Sequence, residues 1–206
     1  MAELDGMKVA ILVAEGFEQV ELLEPRKALE EAGADTFVVS PAKDEVQGWK
    51  HFEKGEKVQV DVPLDKAEAS AFDALLLPGG VANPDQLRTQ PQAVQFVHEF
   101  FESGKPVAVI CHGSWTLIEA GVVRGRTITS WPSLRADLRN AGANWVDQEV
   151  VADKGLVSSR KPQDIPAFNR KMIEAFAEGQ QTRRTRAAQA AEQAGRGASP
   201  TQLRRR

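Results

Sequence analysis

The chain has 206 residues, 42% hydrophobic and 27% charged. That is the composition of an ordinary globular protein, long enough to bury one full core without disulfide or metal staples. A single cysteine excludes an intrachain disulfide and suits a reducing cytoplasm. No run approaches the roughly 20 apolar residues of a bilayer span, and MAELDGMKVAILVAEGFEQ lacks a basic n-region, so neither an anchor nor a signal peptide is expected. The net charge of −3 is uneven: the stretch from Arg183 to Arg206 holds seven Arg and one Glu, a net of +6, which leaves −9 on the rest. An acidic body is not expected to bind nucleic acid, except weakly through this Arg-rich tail.

Lys8–Ala14 is a short apolar run, the pattern of a buried parallel strand. After a loop, Pro25 is placed to open a helix that Gly33 ends. Thr36–Ser40 reads as a second strand. The stretch from Pro41 to Pro63 is polar and mixed, with Val58, Val60 and Val62 alternating as in a half-exposed strand. Ala74–Leu77 is a buried strand running into the turn Pro78-Gly79-Gly80. Pro91 opens a helix that ends at Gly104, and Val107–Ile110 is the next buried strand, followed at once by Cys111-His112-Gly113 and a helix to Gly121. Further on come a strand near Thr127–Thr129, a helix near Ser133–Ala141, a hairpin of Glu149–Ala152 with Leu156–Ser159, and a last helix after Pro162. Alternating strands and helices predict a parallel sheet covered on both faces. One domain is expected over residues 1–182. Residues 183–206, with almost nothing large to bury, are expected to be a marginal helix or disordered.

Ligands of open α/β sheets gather beyond the carboxyl ends of the strands. Three loops satisfy this: Glu15–Glu21, Pro78–Arg88 and Cys111–Ser114. Cys111 ends a buried strand and His112-Gly113 starts a helix, the strand–elbow–helix arrangement of hydrolase nucleophiles with Cys in place of Ser. A helix N-terminus beside the sulfur predicts a thiol pKa well below about 8.5 and a strained backbone at Cys111. His112 is the adjacent base or acid, although neighbours on an elbow point in different directions. Glu18 is the carboxyl expected to partner the sulfur. The N–H groups around Gly79-Gly80, together with that of His112, are placed to hold an oxyanion. Metal-ligand spacings, a P-loop and a dinucleotide fingerprint are all missing from the sequence, so no metal or cofactor is expected.

Taken together, KVAILVAEGFEQVELLEP, FDALLLPGG, GKPVAVICHGSWTLIEAGVVRGRTITSW and NAGANWVDQEVV…LVSSRKPQD resemble the PfpI-type proteins of the ThiJ/PfpI superfamily, relatives of class I glutamine amidotransferases. The likeness spans about Lys8 to Phe176. It implies a flavodoxin-like three-layer sandwich with a mostly parallel sheet and a nucleophile elbow. It implies Cys111 as nucleophile and His112 as its neighbour in a triad whose acid comes across a subunit interface; here that position falls on Asp85. It also implies Glu18 as the protonated acid bonded to the sulfur, and Gly80 and His112 as oxyanion donors.

The resemblance implies a cytoplasmic homo-oligomer, a dimer or larger, with a cysteine-dependent activity in stress protection. Its substrates would be small carbonyls or glycated adducts, as in a glyoxalase or deglycase. The alternatives are an intracellular cysteine peptidase and a redox-sensing or chaperone-like protein without turnover.

Overall fold

A computed structural model describes residues 3–197 of the chain. The chain begins with β1 (Lys8–Leu12), β2 (Phe17–Glu18), α1 (Gln19–Glu31) and β3 (Asp35–Ser40). A hairpin of β4 (Glu45–Lys50) and β5 (Glu53–Gln59) and the short β6 (Val62–Pro63) precede β7 (Ala74–Leu77), α2 (Ala82–Arg88), α3 (Pro91–Glu102) and β8 (Val107–Ile110). After the elbow come α4 (Ser114–Glu119), β9 (Thr127–Ile128), α5 (Arg135–Asn140) and β10 (Asn144–Trp145). The chain then makes β11 (Val150–Asp153), β12 (Leu156–Ser159) and α6 (Ile165–Gly197).

The main sheet runs in the order β11-β12-β8-β7-β1-β3-β6. Every pairing is parallel except β11 with β12. Its two faces feed two separate cores, because successive side chains of a strand point to opposite sides. Val9 and Ile11 of β1 join Leu22 and Leu29 of α1 and Phe168, Met172 and Phe176 of α6 on one face. Ala10 and Leu12 join Leu87 of α2, Phe96 and Phe100 of α3 and Leu117 of α4 on the other. The expected flavodoxin-like three-layer sandwich is therefore what forms. The central strands are buried on both faces, which is why they read as unbroken apolar runs.

Two expectations need correction. First, α1 starts at Gln19, so Pro25 lies inside the helix rather than at its first residue. Its missing N–H would have bonded the carbonyl of Glu21. Gly33, at φ +95°, follows the helix end as expected. Second, the polar stretch after β3 is the β4–β5 hairpin, and the segment after Gly80 is helical over Ala82–Arg88. α6 itself runs on past residue 182. Arg183 donates to the carbonyl of Asp73 at 2.6 Å and meets its carboxylate at 3.1 Å, tying the start of the predicted tail to the body. The end of that tail, residues 198–206, lies outside the described residues.

Candidate active site

The elbow is built where β8 stops. Cys111 takes φ +63°, a left-handed conformation that costs a non-glycine residue roughly 1–2 kcal/mol. Neighbours hold it there. Trp131 donates its backbone N–H to the Cys111 carbonyl at 3.2 Å. Two glycines let the chain close in: a Cβ on Gly113 would stand 2.7 Å from the Leu77 carbonyl oxygen, and one on Gly79 would stand 2.7 Å from the Cys111 Cβ. The strained elbow expected at Cys111 is thus present, with the side chain at the carboxyl end of the sheet.

The carboxyl partner of the sulfur is Glu21, not Glu18. Glu21 lies in the first turn of α1, is fully buried, and hydrogen-bonds the Cys111 thiol. Its Oε2 accepts the N–H of Gly79 at 2.9 Å, and its Oε1 is buried with no further partner. Glu18 sits one turn earlier, in β2, and is used differently. Its Oε2 accepts the backbone N–H of His51 at 3.0 Å, with the His51 ring 3.7 Å away, and so pins the tip of the β4–β5 hairpin over the site. The sequence did carry a signal for Glu21. It falls four and eight residues before Pro25 and Leu29, on the stripe of α1 that faces the core. Starting the helix at Pro25 hid it.

The electrostatics follow from burial. Desolvation raises the Glu21 carboxyl to about 8, against the lowering pull of the thiol and the Gly79 N–H. Burial likewise pushes the Cys111 thiol up, and a charge on Glu21 would push it further, while the N–H groups of His112 and Gly80 pull it down. The low thiol pKa expected from a helix N-terminus is therefore not what the site produces. The turn after Cys111 is a single 3₁₀ turn followed by the six-residue α4, too little aligned dipole to outweigh desolvation. Two such groups in contact share one proton rather than ionise together.

His112 Nδ1 lies 3.2 Å from the sulfur, so the adjacent pair does meet. Its ring stacks on Trp131 at 5.7 Å, meets the edge of Trp115 at 5.3 Å, and its Nε2 faces the Ser133 hydroxyl at 3.5 Å. Burial lowers its pKa to about 4, which leaves a neutral imidazole at physiological pH. The N–H groups of Gly80 and His112, the expected oxyanion donors, both face the sulfur and lower its pKa. Gly80 has φ +83° and no room for a Cβ, which would meet the Gly16 carbonyl oxygen at 2.5 Å.

These groups floor a cavity of about 560 Å³ whose walls include Glu18, His51, Phe52, Val81, Asp85 and Gln163. Asp85, in the first turn of α2, thus borders the same cavity and makes no hydrogen bond to another described residue. Phe52, Val81 and Trp131, the exposed large hydrophobic residues among those described, all line it. The hairpin tip, Trp131, Ser133 and Gln163 were not foreseen as site residues. Trp131 and Gln163 fall within stretches that carry the family likeness, but only the fold brings these separate segments to one cavity.

A parallel sandwich with a cysteine on a strained elbow and a buried carboxyl against its sulfur defines a class of thiol-centred α/β proteins. The chain belongs to the DJ-1/PfpI family, which it matches over residues 7–175. It is 46% identical to a deglycase of Pyrococcus horikoshii over 167 residues, 81% of this chain and 98% of the relative. It is equally identical, 46% over 167 residues, to a putative cysteine protease of Bacillus subtilis, covering 81% of this chain and 96% of that one. Among solved structures, Drosophila melanogaster DJ-1beta superposes with a TM-score of 0.76 at 26% identity, over 86% of this chain and 95% of that one.

Proposed function

We propose that this chain is a cysteine-dependent deglycase with glyoxalase-like chemistry, acting in stress protection on reactive carbonyls and their adducts. The observation that carries the reading is the shape of the site: a thiol and a protonated carboxyl on the floor of one cavity of about 560 Å³, a size suited to a small ligand. The relative from Pyrococcus horikoshii named a deglycase supports it.

In the proposed reaction, the Cys111–Glu21 pair first loses one proton to solvent and keeps the other on Glu21, and Sγ adds as thiolate to the aldehyde carbon of methylglyoxal as the adduct releases its carrier thiol or amine. Glu21 supplies the proton that the carrier takes. The oxygen on that carbon is held by the N–H groups of Gly80 and His112. Neutral His112 takes the proton from the aldehyde carbon and returns it to the neighbouring carbon while the hydroxyl proton passes from the first oxygen to the second, leaving a thioester on Cys111 that water cleaves. Adduct plus one water gives free carrier and lactate. The aldehyde carbon is oxidised and the ketone carbon reduced, so no outside oxidant enters.

The active form in this reading is a cytoplasmic homo-oligomer in which Asp85 of one protomer completes the site of its neighbour. Asp85 stands unengaged at a cavity rim ringed by exposed apolar side chains, a surface that a second copy would cover.

The test is turnover of the methylglyoxal hemithioacetal and of casein by wild type and Cys111→Ser. Lactate formation that disappears in the variant is expected. Casein cleavage without lactate would replace the reading with a peptidase, and no turnover of either, with Cys111 oxidised by mild peroxide, with a redox sensor.

A further inference from the structure

The end of β12 carries a bracket of charges beside the catalytic cavity. Ser159, the last residue of β12, pairs in register with Ile110, which precedes the elbow. Arg160 follows. Its Nε and Nη2 donate to the two carboxylate oxygens of Asp164 at 2.8 and 3.2 Å, and its Nη1 donates to Asp147 at 2.7 Å. Asp164 is buried, and the forked contact with Arg160 is its ion pair. The turn that the bracket closes, Pro162–Asp164, places Pro162 and Gln163 in the cavity wall.

The acidic, thiol and imidazole groups around the cavity have partners or a role already, and the indole N–H groups of Trp49 and Trp131 can only donate. Glu21, Cys111 and His112 contact one another, and Glu18 and His51 hold each other. Asp85 has the role proposed above. Gln163 is exposed and makes no hydrogen bond to another described residue. An amide both donates and accepts, so it fits the peptide-like amide of a carrier better than a bare aldehyde, which it would have no need to bind.

We propose that Gln163 is a substrate-contacting, specificity-determining residue that hydrogen-bonds an amide of the carrier in a glycated adduct, with Arg160 as the positioning residue behind it. The site then favours adducts carried on amino acid or peptide backbones over free dicarbonyl. This rests on the deglycase reading.

The test measures lactate formed by the full-length protein from two substrates: methylglyoxal alone, and methylglyoxal with excess N-acetylcysteinamide, whose hemithioacetal carries two amides. Gln163→Ala should raise KM for the hemithioacetal about fivefold, the scale of one neutral hydrogen bond, with kcat on it unchanged and both constants on free methylglyoxal within about twofold. Arg160→Lys keeps the charge but loses the fork. It should raise the same KM, and the double variant should be no worse than the weaker single one, since both changes remove one contact. Additive losses, or equal losses on both substrates, would reduce Arg160 to a structural role and overturn its part. Gln163→Ala sits at the surface and does not depend on how Arg160→Lys folds. An active wild type with an unaffected Gln163→Ala overturns this inference alone, whereas a wild type inactive on both substrates overturns the deglycase reading and this inference with it.

Discussion

Glu21 meets the sulfur of Cys111 from the first turn of α1, and the N–H of Gly79, 2.9 Å from its Oε2, fixes the angle at which it does so. Once the site gives up its first proton, the buried carboxyl and the buried thiol share the one that remains.

That pairing has a kinetic signature. Alkylation of Cys111 by iodoacetamide should rise with pH in two steps, one as the pair loses its first proton and one as it loses its second. Glu21→Gln should show a single step, below the upper wild-type step, because burial alone then raises the thiol. A single wild-type step at the free-thiol value of about 8.5, unmoved in Glu21→Gln, would refute the coupling.

The same carboxyl affects stability. Its pKa is about 8 in the fold against an ordinary 4.5. Between those pH values the native state holds the extra proton, so stability falls as pH rises through that window. Chemical denaturation should show wild type losing on the order of a few kcal/mol relative to Glu21→Gln from the lower to the upper end. Parallel curves for the two proteins would show that Glu21 ionises freely.

His112 acts in the opposite sense. Its pKa falls from 6.5 to about 4, so its contribution to stability is complete above 6.5 and is lost as pH drops through that range. His112→Asn should flatten the acid limb of the stability profile. In wild type, kcat/KM should show no histidine step near 6.5. A clear inflection there would mean that the imidazole is not held neutral.

Gly79 tests packing. A Cβ there would stand 2.5 Å from Glu21 Oε2 and 2.7 Å from the Cys111 Cβ. Gly79→Ala must therefore push apart the two groups that share the proton. The expected cost is about 1–3 kcal/mol of stability by overpacking, with turnover reduced by at least tenfold. Wild-type activity in a folded Gly79→Ala protein would show that the contact with Glu21 is dispensable.

The proposed sharing of Asp85 between protomers can be read by complementation. Asp85→Asn and Cys111→Ser should each be inactive as pure proteins. Mixed and reassembled, they should recover up to about a quarter of wild-type turnover, since half the dimers pair the two variants and each such dimer holds one intact site. A mixture that stays inactive, with mixed oligomers confirmed by mass, would place Asp85 in its own chain's site.

Much of this protein was legible in order of sequence because the determining features are local. Ala74–Leu77 and Val107–Ile110 form strands at the very residues their apolar runs mark, since a doubly buried strand needs no partner to be recognised. The elbow was equally plain, as Cys111 follows one such strand directly. The hairpin after β3 was not. Of the alternating Val58, Val60 and Val62 only Val58 falls in β5, whose other residues are largely exposed, and Phe17 and Glu18 reach the hairpin from another part of the chain.

The sequence by itself determined the layered α/β fold and the place of Cys111 directly after a buried strand, because each depends on neighbours in the chain. Only the tertiary structure decided which glutamate holds the sulfur and which way the thiol's acidity moves. Glu18 and Glu21 are the same residue type three positions apart. The start of α1 at Gln19 carries one to the cavity mouth and the other beneath the elbow, where desolvation outweighs a short turn's dipole and keeps the proton in the pair.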